Sequence, residues 1–235
     1  PERFARFRDL PFRTDLGHNV TLSTFHGCPA DEIEGIVRFL LTEMDLDVVV
    51  KMNPTLIGRE RAEWLMYDVL GYRSLPMNSL AFERDLDFPA AAAMVERLGE
   101  TARARGRRLG VKMSNTLEVL NPGGPFREAV VYVSGAPLQV LALHGVELWR
   151  SRFGADLPIS FSAGADAQNF PGLVAIGLVP VTVCTDLLRP GGYARLPKYL
   201  TRLEAALRER GVRNVPDWVV RAGGHAAGAV AENGV

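Results

Sequence analysis

Short apolar runs and amphipathic stretches alternate along the chain. "NVTLST" (19–24), "DVVVKM" (47–52), "LGVKMS" (109–114), "PISFSAG" (158–164) and "PVTVCT" (180–185) are runs of strand length rich in β-branched and apolar residues. "YRSLPM" (72–77) is a weaker strand candidate, and "AVVYVSG" follows a Gly/Pro loop at 121–125. Between these runs, helices are predicted over 30–44, 59–70, 88–106, 136–153, 168–177 and 193–210. In the third of them Pro89 suits the first turn and Gly106 the end. Leu138, Leu141, Leu148 and Trp149 follow helical spacing and read as core. "RLPKYLTRLEAALRER" alternates charges and reads as a solvated outer helix.

The alternation amounts to about six strand–helix units, the signature of a parallel sheet with helical crossovers. A doubly wound sheet and a (β/α)8 TIM barrel both fit. No GxGxxG follows the first strand, which weakens the dinucleotide-binding version of the former. The barrel needs eight strands, about two more than the sequence offers. The predicted fold is therefore α/β, a partial TIM barrel lacking its N-terminal strands. Residues 1–211 form the barrel segment and 212–235 a linker or tail, ending in "GGHAAGAVAENGV".

Composition adds limits. The 235 residues carry 27 basic and 27 acidic side chains, which argues against nucleic acid or a membrane surface as partner. No apolar run approaches the roughly 20 residues that span a bilayer, and the basic, aromatic N-terminus lacks a signal peptide's apolar core. Cys28 and Cys184 stand far apart with no CxxC, so no metal site or iron–sulfur cluster is expected within the chain. A reduced cytoplasmic setting is the default. With no initiator Met, the chain reads as a segment of a longer polypeptide.

In parallel α/β folds chemistry gathers where strands end. Those ends carry Ser23 to Cys28; Lys51, Asn53 and Thr55; Lys112, Ser114, Asn115 and Thr116; Ser162, Ala163 and Gly164; and Cys184, Thr185 and Asp186. Lys51 and Lys112 each interrupt an apolar strand, expected to be buried on both faces. An inward ammonium is costly there unless paired. Such a lysine is either snorkelling or ion-paired, or faces an anionic cofactor or a developing negative charge. Three small-residue turns follow the later strands: Ser134-Gly135, Ala163-Gly164 and Cys184-Thr185. Converging, they would form a cradle of backbone donors for phosphate, which barrels often hold after strands 7 and 8. Cys28 lies at a strand-to-helix turn, where a thiol's pKa is lowered; it is either a proton donor or a plain turn residue. His26 either tunes that thiol or caps the turn. His144 reads as a satisfied packing histidine, and His18 and His225 as surface residues.

"TLSTFHGCP", "VVVKMNPT", "VKMSNT", "YVSGAPLQVLALHGVELWRSRF" and "ISFSAGADAQNFPGLVAIGLVPVTVCTDLL" resemble, in order, the FMN barrel of dihydropyrimidine and dihydroorotate dehydrogenases. "LSTFHGCPADEIE", "VKMNPTL" and "VCTDLLRPGGYARLPKYL" bring the chain closer to the selenate reductase iron–sulfur subunit family, over roughly residues 18–205. That resemblance implies FMN here, with iron–sulfur clusters, FAD and NAD(P) in regions outside this segment. It implies that Lys51 contacts FMN and that Asn115 and Thr116 face the substrate ring. The flavin phosphate then falls to Ser134, Gly135, Ala163, Gly164, Cys184 and Thr185, and substrate protonation to Cys28 or to a residue outside the chain. The sequence departs from dihydropyrimidine dehydrogenase at Thr21, where that enzyme has Asn; at Lys112, where it has a small residue; and at Ala163, where it has Gly.

The implied activity is FMN-mediated reduction of a small unsaturated substrate, such as a nitrogen heterocycle, fed by electron-transfer domains or subunits of the same reductase. Two alternatives stand beside it. One is a degenerate barrel serving as a docking domain in a reductase complex. The other is a barrel lyase using Lys51 or Lys112 as a Schiff-base amine.

Overall fold

A computed structural model of the chain describes residues 2–8, 10–11, 16–124 and 126–223. After a short helical turn α1 (Ala5–Arg8), the chain enters strand β1 (Asn19–Leu22), helix α2 (Ala30–Thr42) and strand β2 (Asp47–Met52). Helix α3 (Arg59–Glu63) runs on into π-helical turns over Trp64–Val69. Helices α4 (Ser79–Arg84) and α5 (Phe88–Ala104) precede β3 (Leu109–Met113). A hairpin, β4 (Leu117–Leu120) and β5 (Val130–Val133), leads to α6 (Gln139–Phe153) and β6 (Ile159–Phe161). Helices α7 (Phe170–Ala175), α8 (Leu196–Glu209) and α9 (Val215–Gly223) complete the described chain.

The sheet is parallel, in the order β1-β2-β3-β6, and Phe161 bridges on to Val181 in the same sense. Successive side chains of a strand point to opposite faces, and here the two faces differ in kind. The helix-facing row is apolar: Val48, Val50 and Met52 on β2, Leu109, Val111 and Met113 on β3, Ile159 and Phe161 on β6, all buried. The other row carries Thr21, Lys51, Lys112 and Ser160, with Lys51 in register with Lys112 and Lys112 with Ser160. The strands are therefore buried in apolar surroundings on one face only, which corrects the two-sided burial the sequence predicted. A closed barrel fills its interior with bulky apolar side chains; this concave face is polar and lines a cleft.

The helical layer forms for ordinary reasons. In α2, Ile33, Val37 and Leu41 recur every four residues and are buried. The Asp87 side chain caps α5 by accepting from Ala90 N at 2.9 Å. At its other end Arg107 N returns to the Ala102 carbonyl and Gly106 N to that of Arg103, with Gly106 at φ +65°. Trp149 of α6 is fully buried against Phe88.

Two predicted strands change character. "YRSLPM" contributes only the bridge from Met77 to Val119. "PVTVCT" pairs only at Val181; its chain then leaves the sheet and enters a 3-10 turn at Thr185–Leu188. The segment "AVVYVSG", which the sequence left without an element, supplies β5 of the antiparallel hairpin. Beyond residue 211, α9 packs through the buried Trp218, whose Nε1 donates to the Pro171 carbonyl at 3.1 Å. His225 and the rest of 224–235 lie outside the described residues.

Candidate functional site

All four sheet strands run the same way, so their C-terminal ends meet at one rim. The ladder continues past them: Asn115 N donates to the Met52 carbonyl at 2.7 Å and Ser162 N to that of Met113 at 2.6 Å. The rim and the inward polar row enclose a cleft of about 620 Å³. The cleft brings together Lys51, Asn115, Thr116, Ser134, Gly135, Gly164, Cys184 and Thr185 of the predicted site, and adds Thr21, Lys112, Thr182 and Asp186. Ala163 is buried and Cys28 is buried, and neither lines it.

The three small-residue turns touch one another. A Cβ built on Gly164 would lie 2.5 Å from Ala136 Cα and 3.0 Å from the Gly135 carbonyl carbon. One built on Gly135 would lie 3.0–3.2 Å from the Thr185 side chain. Both glycines have positive φ, +62° and +78°, where a side chain is strained in any case. Among the described residues, the backbone N–H groups of Gly135, Gly164, Ala165, Cys184 and Thr185 donate to no protein acceptor, nor does the Thr185 hydroxyl. Backbone donors rarely stay unpaired unless water or a ligand takes them.

Lys51 and Lys112 stand side by side on β2 and β3, half-buried. Neither forms an ion pair or a hydrogen bond with any described residue. Burial, and next the charge of Lys51, lower the Lys112 pKa below its ordinary value. The carboxylate in the cleft, Asp186, is already committed. Arg195 Nε and Nη2 donate to it at 3.0 and 2.7 Å and the Tyr199 hydroxyl at 2.7 Å. The Arg195 and Tyr199 bonds hold the Asp186 carboxyl below the usual carboxylate range, while burial and the Asp186 bond raise the Tyr199 phenol. This clamp fastens the 185–188 turn to α8. Arg195 and Tyr199 come from a helix that the sequence assigned to solvent, so only the fold reveals them.

Asn115 is a rim tie. Its side-chain amide donates to Asn53 Oδ1 at 3.0 Å and the Thr24 carbonyl at 3.4 Å, and its Oδ1 accepts from Thr116 N at 3.0 Å. It thus joins the ends of three strands. The Thr116 hydroxyl has no partner among the described residues and is the freer group of the two.

Cys28 corrects the expected activated thiol. Burial first, then Glu32 and Asp31, push its pKa up rather than down. Its neighbour His26 instead enters a buried polar network. His26 Nδ1 lies 2.9 Å from Asp85 Oδ2, which also accepts from the Thr55 hydroxyl at 2.8 Å; Gly27 N donates to Asp85 Oδ1 at 2.8 Å. Burial alone would lower the His26 pKa, but the Asp85 bond and charge, with Glu118 and the Thr116 backbone, raise it. The network staples the loop after β1 to α4. His144 is buried, as a packing histidine should be, and its Nδ1 lies 3.4 Å from Glu147 Oε2 without a well-aligned hydrogen bond.

A parallel sheet whose helix-facing row is apolar, whose inward row is polar and whose strand ends meet in a cleft defines an α/β barrel domain with a cleft at the C-terminal rim. The chain belongs to the family described as "Oxidoreductase YgfK, N-terminal TIM-barrel domain", whose model matches residues 5–222. Among the described residues, four hydrogen-bonded parallel strands and one further bridge leave the barrel open, in keeping with the partial barrel the sequence predicted. The chain is 38% identical over 207 residues to "Putative oxidoreductase YgfK" of Escherichia coli (strain K12), and equally to that of Escherichia coli O157:H7. The match takes in 87% of this chain and 20% of each relative, so the chain spans about a fifth of the curated proteins it matches. Among solved structures it is similar to ligand-free DHODH from Eimeria tenella, at 18% identity and a TM-score of 0.45, over 91% of this chain and 66% of that one. The ferulenol complex of DHODH from the same organism gives 17% and 0.44, over 83% and 58%. Among the described residues no helix is long and apolar enough to cross a membrane.

Proposed function

We propose that this domain binds FMN in the cleft and is the flavin barrel of a larger oxidoreductase that reduces a small unsaturated substrate, of the nitrogen-heterocycle class. The observation that carries the reading is the set of uncommitted amides at Gly135, Gly164, Ala165, Cys184 and Thr185, on three turns in mutual contact. Backbone donors of this kind suit a phosphate monoester, and the glycines let the turns pack against each other where a Cβ would clash. The unpaired Lys51 supplies positive charge for the cofactor ring elsewhere in the same cleft. Bound FMN would supply two-electron transfer to the substrate's double bond.

The chain's own residues then have distinct tasks. The turns hold the phosphate, with Ser134 and the Thr185 hydroxyl as added donors, and the Asp186–Arg195–Tyr199 clamp keeps the third turn in place. Asn115 orients the rim, and Thr116 offers its hydroxyl to the substrate. Cys28 is shielded and its thiol is raised, so protonation is assigned to a group outside this set. The resemblance to selenate reductase iron–sulfur subunits makes iron–sulfur and FAD domains elsewhere in the polypeptide the electron source, and the small share of the relatives covered here leaves room for them.

The test is the cofactor released from the intact protein on denaturation. Stoichiometric FMN by mass spectrometry and visible absorbance is expected; its absence refutes the reading. One observation favours the lyase alternative: the Lys112 amine is lowered by burial and by a second cation, as a Schiff-base nucleophile requires. Borohydride trapping of a carbonyl substrate on Lys112, in protein free of flavin, would decide for it.

A further inference from the structure

The cleft holds two ammonium groups where the predicted cofactor contact needs one. Lys51 and Lys112 are register partners on adjacent parallel strands, so their side chains leave the sheet on the same face, from backbones about 4.8 Å apart. Both line the cleft, and neither has an anionic partner among the described residues. The nearby carboxylate, Asp186, is satisfied by Arg195 and Tyr199. The side chains that continue this face of the sheet, Thr21, Ser114, Ser160 and Ser162, are neutral. Two half-buried like charges with nothing to neutralise them repel each other, and their mutual cost is relieved when an anion enters between them. The phosphate has its own amides at the turns, so the lysines call for a second negative charge on the same ligand.

We propose that Lys112 is a second cation of the site and sets its preference for the reduced, negatively charged form of the bound flavin over the neutral oxidised form. The inference rests on the FMN reading above. Two electrons and one proton added to the neutral isoalloxazine leave one net negative charge on the ring. Lys51 and Lys112 together face that charge, whereas the oxidised ring offers them none. The pair thereby raises the tendency of the cofactor to accept electrons from a low-potential donor.

The experiment uses the intact protein and three forms: wild type, Lys112→Met, which keeps the side-chain length without the charge, and Lys112→Arg, which keeps the charge. The readouts are FMN content and the midpoint potential of bound FMN in a dye-mediated reductive titration. Lys112→Met should weaken the preference for reduced FMN at least tenfold, which for a two-electron couple is about 30 mV lower in potential. Lys112→Arg should stay near wild type. Equal potentials in wild type and Lys112→Met overturn the inference while leaving the FMN reading intact. If Lys112→Met purifies without flavin, its apoprotein is titrated with FMN and with reduced FMN: a gain in affinity on reduction at least tenfold smaller than in wild type supports the inference, and an equal gain overturns it. A wild-type protein without flavin overturns the FMN reading and this inference together.

Discussion

Replacing Gly164 by Ala tests whether the turns are as tightly joined as the geometry requires. The new Cβ would lie 2.5 Å from Ala136 Cα, 2.8 Å from Ala136 N and 3.0 Å from the Gly135 carbonyl carbon, all backbone atoms. Ordinary carbon contacts sit at about 3.5–4.0 Å, so the two turns must part by about 1 Å. Gly106 is the control: its φ of +65° nearly equals the +62° of Gly164, but a Cβ there meets nothing within 4 Å. Gly106→Ala should therefore show only the left-handed backbone cost, about 1–2 kcal/mol. Gly164→Ala should add about 1–3 kcal/mol of overpacking. With an m-value of about 2 kcal/mol/M, the two urea midpoints should differ by about 0.5–1.5 M. Moving Ala136 also moves Gly135, which abuts Thr185, so Gly164→Ala should lose FMN where Gly106→Ala retains it. Equal midpoints would refute the close approach, and full flavin retention in Gly164→Ala would refute the cradle.

Lys51→Ala removes a charged contact worth about 1.5–3 kcal/mol and should weaken FMN retention roughly tenfold to a hundredfold; unchanged retention argues against its role. On alkylation of the native protein, the exposed Cys184 should react while Cys28, 6% exposed with a raised pKa, reacts only on unfolding; mass-mapped adducts read this directly. Asp85→Asn breaks a buried pair and should cost about 3 kcal/mol by denaturant titration. The His26 part of that gap is fully present below its ordinary pKa of 6.5 and fades as pH rises through the raised folded value; the Asp85 part is present above 3.8 and fades as pH falls through the depressed one. A gap that does not narrow towards both ends would show that the pair is not ionised in the fold.

The sequence alone determined the alternation of strands and helices, and with it the α/β class and the parallel sheet, because periods of 2 and 3.6 are properties of local backbone geometry. It also placed Lys51, Lys112, Asn115 and the three small-residue turns at strand ends, since strand length and turn residues are local signals too. It did not foresee that "PVTVCT" leaves the sheet after Val181, because its β-branched pattern is the same whether or not a neighbour supplies the ladder. Nor could it show that Cys28 is raised rather than lowered, which depends on burial and on Glu32 and Asp31. The contact of Gly164 with Gly135, the clamp from Arg195 and Tyr199 onto Asp186, and the unpaired state of the two register-matched lysines were decided by tertiary structure. Each depends on which distant residues arrive, and on which fail to arrive, within a few ångströms.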